Sequence, residues 1–233
     1  MPAPLDILYE DNHLLAVNKP AMLPTMGVSE DKASLLTIAK DYLKQAYQKP
    51  GNVYLGIVSR LDAPVTGVTL LAKTSKAAAR LSEAFRSRRV DKIYWAIVAG
   101  EVEPAAGELE HYLRHDERHR RVHATHAACP DARLARLAYR RLASRGELTH
   151  VQIELETGRK HQIRVQLSKA GWPILGDRKY GSTEPFPEGI ALHARFLALE
   201  HPVRREPLEI LAPLPRSWRR RRDAAALLDG FEE

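Results

Sequence analysis

The chain has 233 residues, 44% of them hydrophobic, and 36 Lys plus Arg against 29 Asp plus Glu, a net charge of +7. That length suits one domain with its own core, and the apolar fraction excludes disorder over most of the chain. The single cysteine, Cys129, excludes an internal disulfide and a multi-cysteine metal site, while the basic balance points to a polyanionic partner, nucleic acid first and a membrane surface second.

In chain order, residues 7–9 and 13–18 read as two short strands around the Glu10-Asp11-Asn12 turn. The second ends at Lys19-Pro20, since proline cannot extend a ladder. Ser34 is placed to cap a helix running to about Tyr47, with Leu35, Leu36, Ala39, Tyr42, Leu43 and Ala46 at helical spacing. Residues 54–58 are expected as a strand delivering Asp62 to the loop after it, and 68–72 as a buried strand. Ser75 opens a second helix with Ala78, Leu81, Ala84 and Phe85 on one face. Residues 92–98, 134–142, 148–155, 190–199 and 208–212 read as further strands. Residues 161–170 are ambiguous: Ile163, Val165 and Leu167 alternate like a strand, whereas helical spacing puts His161, Arg164 and Ser168 on one face. Many strands with few, non-alternating helices predict a single α+β domain over 1–233, with a largely antiparallel mixed β-sheet flanked by helices and loops.

Two arginine-rich segments stand apart. Residues 111–145 carry nine arginines and five histidines against three acids, and read as a basic surface insertion. The tail 216–233 opens with five arginines in seven residues, with Leu227-Leu228 in a terminal helix; it is either an RNA-backbone contact or a frayed end. The histidines at 111, 115, 119 and 123 have the i, i+4 spacing of a metal-binding helix face. No carboxylate or cysteine completes a set and arginines crowd the stretch, so phosphate contacts fit better and no metal is expected. The first residues, Met1-Pro2-Ala3-Pro4-Leu5-Asp6, lack a basic segment followed by an apolar one, and no stretch approaches the ~20 apolar residues of a membrane span. A cytoplasmic protein without membrane contact is expected, monomeric by default.

The chemistry concentrates in two blocks. The first is Val58-Ser59-Arg60-Leu61-Asp62-Ala63-Pro64-Val65-Thr66-Gly67 and the second Thr157-Gly158-Arg159-Lys160-His161-Gln162-Ile163-Arg164-Val165. With residues 8–20, Lys92-Ile93-Tyr94, and Pro173-Ile174-Leu175-Gly176-Asp177 followed by Tyr180-Gly181, they resemble the RluA family of pseudouridine synthases over residues 6–212. The resemblance implies the pseudouridine synthase fold, a helix over the ambiguous residues 161–170, and the redox-neutral, cofactor-free isomerisation of specific uridines in ribosomal or transfer RNA. The sequence agrees in having no Walker loop, no Gly-x-Gly-x-x-Gly and no Cys-x-x-Cys.

The resemblance makes Asp62 the catalytic carboxylate, Tyr94 the active-site phenol and Arg164 the guanidinium that keeps Asp62 ionised and aimed. Arg and not Lys suits that last task, because its fork matches a carboxylate. Whether Asp62 attacks the ribose, attacks the base or abstracts a proton stays open, and from the local residues alone it reads equally as a turn cap. Arg60 is implied to hold the space or partner left by a flipped base, Arg159, Lys160, His161 and Gln162 to contact the RNA backbone, and Leu192 to line the pocket. Ser59 stands where the family has histidine, Val65-Thr66-Gly67 replaces Thr-Ser-Gly, and Gln166 replaces a histidine. These departures leave the proposed chemical groups in place and bear on loop packing and substrate choice. The chain is expected to begin directly at the catalytic domain, without an S4-like RNA-binding module. Two rival classes remain: a non-catalytic RNA-binding or ribosome-assembly module, and a glycosylase that would release free uracil.

Overall fold

The computed structural model describes residues 5–27 and 32–231; the reading of Met1 to Pro4 falls outside them, as do the last two residues of the tail. In chain order the elements are β1 (Ile7–Glu10), β2 (Leu14–Lys19), α1 (Leu35–Ala46), β3 (Gly56–Ile57), β4 (Thr66–Ala72), α2 (Ser75–Arg86), β5 (Val90–Ala99), β6 (Ala106–Asp116), β7 (Arg121–Thr125), β8 (Arg133–Arg145), β9 (Leu148–Leu155), α3 (Gln162–Lys169), β10 (Leu192–Glu200), β11 (Pro207–Leu211) and α4 (Arg222–Ala225). Short 3-10 turns cover Arg178–Tyr180 and Arg216–Arg219. The class is α+β, and the pairings β1–β2, β2–β4, β3–β4, β5–β9, β6–β7, β6–β8, β8–β9 and β10–β11 are all antiparallel. No helix of the described residues is long and apolar enough to cross a membrane. The chain divides into two compact units: unit 1 is 1–92 with 194–213, and unit 2 is 93–193 with 214–233.

Unit 1 carries the strand order β1–β2–β4–β10, with β3 on β4 and β11 on β10. Asp11 closes the first hairpin: its Oδ1 accepts from the backbone N–H groups of His13 and Leu14, both at 2.7 Å. Helix α1 begins where the sequence puts its cap. Ser34 Oγ accepts from Thr37 N, and Thr37 Oγ1 accepts from Ser34 N at 2.9 Å, a reciprocal capping box. Leu35, Ala39 and Leu43 then pack on Leu15, Val17, Val53, Leu55 and Leu71. The strand expected over 54–58 shrinks to Gly56–Ile57, so the chain runs almost without ladder bonds into the Asp62 loop.

Unit 2 has the order β5–β9–β8–β6–β7. Here the structure departs from the sequence reading. Residues 111–145 are not an excursion from the sheet but strands β6, β7 and β8 themselves. Leu113, Val122 and Ala135 form a core with Val165 of α3 and Tyr180. Charge had masked an apolar face that repeats every second residue along β8, through Ala135, Leu137 and Tyr139. The four spaced histidines consequently lie on two paired strands and the turn between them, not on a helix. The arginine tail is likewise no frayed end. Trp218, Ala224, Leu227 and Leu228 are buried, Arg220 pairs with Glu188 at 2.8 Å, and Arg221 pairs with Asp223 and Glu184.

Candidate active site

The Asp62 loop is pinned at successive residues, all within unit 1. Ser59 Oγ accepts from Leu70 N at 3.3 Å, giving the residue that stands in place of the family's histidine a backbone to hold. Thr25 Oγ1 donates to Leu61 O at 2.8 Å and accepts from Leu61 N at 3.2 Å. Val65 N closes a turn onto Asp62 O at 3.0 Å. Behind the loop lies Lys19, fully buried, whose ammonium donates to Pro20 O (2.9 Å), Leu23 O (2.8 Å) and Ala63 O (3.1 Å). Burial lowers its pKa to about 7, against the attraction of the Asp62 carboxylate, which raises it. One buried cation thus ties the segment after β2 to the loop bearing Asp62. Lys19 faces Gly67 in the β2–β4 register. Gly67 is at φ +112°, and a Cβ there would strike the backbone of Ala194, so glycine is required for β4 to enter the sheet beside β10. Arg60 is exposed and Asp62 is partly exposed.

The second block sits in unit 2 at the start of α3. Thr157 Oγ1 donates to Gln162 Oε1 at 2.8 Å, and that oxygen also accepts from Arg159 N at 2.9 Å. Gln162 Nε2 donates to Arg136 O at 2.9 Å. Gln162, read from the family as an RNA contact, is therefore buried with its amide committed to shaping the 157–161 turn. Arg159 and Lys160 stay exposed; Lys160 Nζ lies 2.8 Å from His115 Nε2. His161 takes the left-handed conformation at φ 53°, and its Nδ1 is 2.6 Å from the Tyr180 hydroxyl.

Arg164 is buried on α3 and held bidentately by the equally buried Asp177, Nε to Oδ2 at 2.7 Å and NH2 to Oδ1 at 2.9 Å. Its guanidinium also lies over the Tyr180 ring at 5.0 Å. A buried arginine fixed along one edge cannot swing, so its direction is set by the fold rather than by a ligand. Tyr94 stands on β5 opposite Ile153, and Leu192 is buried at the start of β10. Sequence reasoning gave no role to Asp177, Tyr180, Lys19 or Thr25. The first three lie inside the family-like motifs, and a lysine closing the apolar run of β2 was the available signal; nothing marked Thr25.

A sequence model of the family described as RNA pseudouridylate synthase matches residues 13–169. The chain belongs to that family. It is 34% identical to the ribosomal large subunit pseudouridine synthase D of Yersinia pestis, over 91% of this chain and 68% of that protein. It is also 34% identical to an uncharacterized RNA pseudouridine synthase of Bacillus subtilis, over 92% of this chain and 74% of that protein. Among solved structures, human RNA pseudouridylate synthase domain containing 4 superposes with a TM-score of 0.77 at 28% identity, covering 96% of this chain and 92% of its own. The family's activity, isomerisation of uridine in RNA, is that of an enzyme, which sets aside the non-catalytic binding module.

Proposed function

We propose that this synthase converts specific uridines of ribosomal RNA to pseudouridine, with Asp62 as the catalytic carboxylate. The observation that carries the assignment is the fixing of the Asp62 loop. Hydrogen bonds from Thr25, Lys19 and Val65 hold Leu61, Asp62 and Ala63, so the carboxylate is presented from a backbone that does not reorganise during reaction. Arg164, aligned by Asp177, is the guanidinium suited to keep such a carboxylate charged, and Tyr94 is the phenol suited to stack on the uracil and relay a proton. The target must leave its stack first, at a cost of a few kcal/mol, and the exposed planar Arg60 fits the vacated space. Arg159, Lys160 and His161 serve the RNA backbone, Gln162 acts on the same loop from within, and Leu192 lines the base pocket. The ribosomal substrate is favoured over transfer RNA by the named activity of the relatives, synthases of the large ribosomal subunit. The chain is taken to work as one catalytic domain, as a monomer in the cytoplasm, without cofactor or metal.

The test is product analysis. Ribosomal and transfer RNA lacking the modification are incubated with the enzyme, digested to nucleosides and separated. Pseudouridine appearing at the expense of uridine in the ribosomal pool, with no free uracil, is the expected result. Free uracil would make the protein a glycosylase, and product in transfer RNA alone would overturn the substrate.

A further inference from the structure

The two arginine-rich segments look alike in sequence and differ in the structure. In the tail, three of the five arginines face carboxylates: Arg219 with Asp229 at 3.7 Å, Arg220 with Glu188 and Arg221 with Asp223 and Glu184. In the β6–β7 hairpin, Arg114, Arg118 and Arg120 are exposed, and none has a carboxylate partner among the described residues. The acids of the hairpin are Asp116 and Glu117. Asp116 is taken by His119, Nδ1 to Oδ2 at 2.7 Å.

The hairpin is also rigidly seated. Val122 N donates to the Tyr180 hydroxyl at 3.0 Å, Lys179 Nζ donates to Arg120 O, and the guanidinium of Arg121 lies over the Tyr180 ring at 5.2 Å. Through His115 and Lys160 it adjoins the exposed cations of the 157–161 turn. Arg121 therefore belongs to the anchor, while Arg114, Arg118 and Arg120 extend from a fixed backbone.

We infer that the β6–β7 hairpin is the docking surface for the phosphate backbone of a helical RNA arm flanking the target uridine, and that the arginine tail is a structural strap. Three unpaired guanidiniums on a rigid ribbon are suited to phosphates, because they lose no ion pair on binding. Helical RNA fits better than single-stranded RNA: residues 114–123 contain no Phe, Tyr or Trp, and two of their three imidazoles are already engaged, His115 by Lys160 and His119 by Asp116, which leaves few faces on which unstacked bases would lie.

The inference rests on the protein acting on RNA, and its test separates the two. Binding of a fluorescein-labelled RNA duplex of about 16 base pairs is followed by anisotropy over a range of salt, for the full chain and three triple variants. The hairpin variant, Arg114→Gln with Arg118→Gln and Arg120→Gln, is expected to flatten the slope of log affinity against log salt by about 2. The tail variant, Arg219→Gln with Arg220→Gln and Arg221→Gln, removes the same charge from the arginines that face carboxylates and should change the slope by less than about 1. Arg114→Lys with Arg118→Lys and Arg120→Lys should restore the slope, which a merely misfolded hairpin would not allow. Equal losses from hairpin and tail, an unchanged hairpin slope, or tighter binding of a single strand of the same length would each overturn the surface. Capture of anionic lipid vesicles but not of the duplex would replace RNA by a membrane. Pseudouridine formation by the wild type is read separately, so the surface can fall while the enzymatic reading stands.

Discussion

At the scale of single residues, two buried bases without a buried acid beside them make the protein pH-sensitive in calculable directions. Lys19 has a pKa of about 7 when folded, lowered by burial from 10.5. Between those values the unfolded chain binds a proton that the folded chain does not, so this residue makes stability rise with pH across that window. Lys19→Met is expected to remove that rise, read as the change in denaturant midpoint between pH 7 and pH 9. An identical gain in wild type and variant would show that Lys19 is not the titrating group. His150 is fully buried against Trp95 and Phe231, with neither ring nitrogen at hydrogen-bonding geometry. Desolvation lowers its pKa to about 4, with the Leu227 backbone a smaller opposing influence. Here stability is complete above pH 6.5 and is lost as pH falls toward 4, by up to roughly 3 kcal/mol. His150→Phe keeps an aromatic ring in place, removes both unpaired nitrogens and should blunt acid unfolding between pH 6 and pH 4. Thermal melts that fall in parallel with wild type over that range would contradict it.

At the scale of elements, β4 and the capped helix α1 carry the sharpest expectations. Gly67→Ala would place a Cβ against the Ala194 backbone at a φ that L-residues avoid. A loss of roughly 4 kcal/mol or failure to fold is expected, measured by urea titration, and a stable, active variant would mean that β4 enters the sheet differently. Ser34→Ala, which breaks the α1 capping box, should cost about 1 kcal/mol by the same titration. These elements were legible because their signals are local: a cap three residues from its partner, an apolar stripe at helical spacing, an apolar strand run. The rest was hidden for physical reasons. Strand pairing in β6, β7 and β8 is non-local, and the arginines on their solvent side outnumber the alternating apolar residues that face α3. Helix α3 is buried through Ile163, Arg164, Val165, Gln166 and Leu167 alike, so it shows no polar face to reveal its period. Of the candidate residues, Asp62, Arg60 and Arg164 stand in motifs that the sequence displays. Their supports were not legible, because Lys19 bonds to Ala63 and Thr25 to Leu61 across some forty residues of chain, and Asp177 finds Arg164 across a helix.

At the scale of the whole molecule, a net charge of +7 is distributed unevenly by partner rather than by sequence. Three of the tail's five arginines face carboxylates within the fold, whereas Arg114, Arg118 and Arg120 of the hairpin have no carboxylate partner among the described residues, and the salt-dependence of RNA binding reads that contrast. The proposed chemistry turns on one carboxylate, Asp62. The most direct test is tritium release from ribosomal RNA labelled at uridine carbon 5, comparing wild type with Asp62→Asn, since the label leaves when carbon 5 becomes the glycosidic carbon. Wild type should release tritium at the modified site, and Asp62→Asn should release none while melting at a similar temperature and binding RNA with similar affinity. Release by Asp62→Asn at the wild-type rate would contradict the assignment of the catalytic carboxylate.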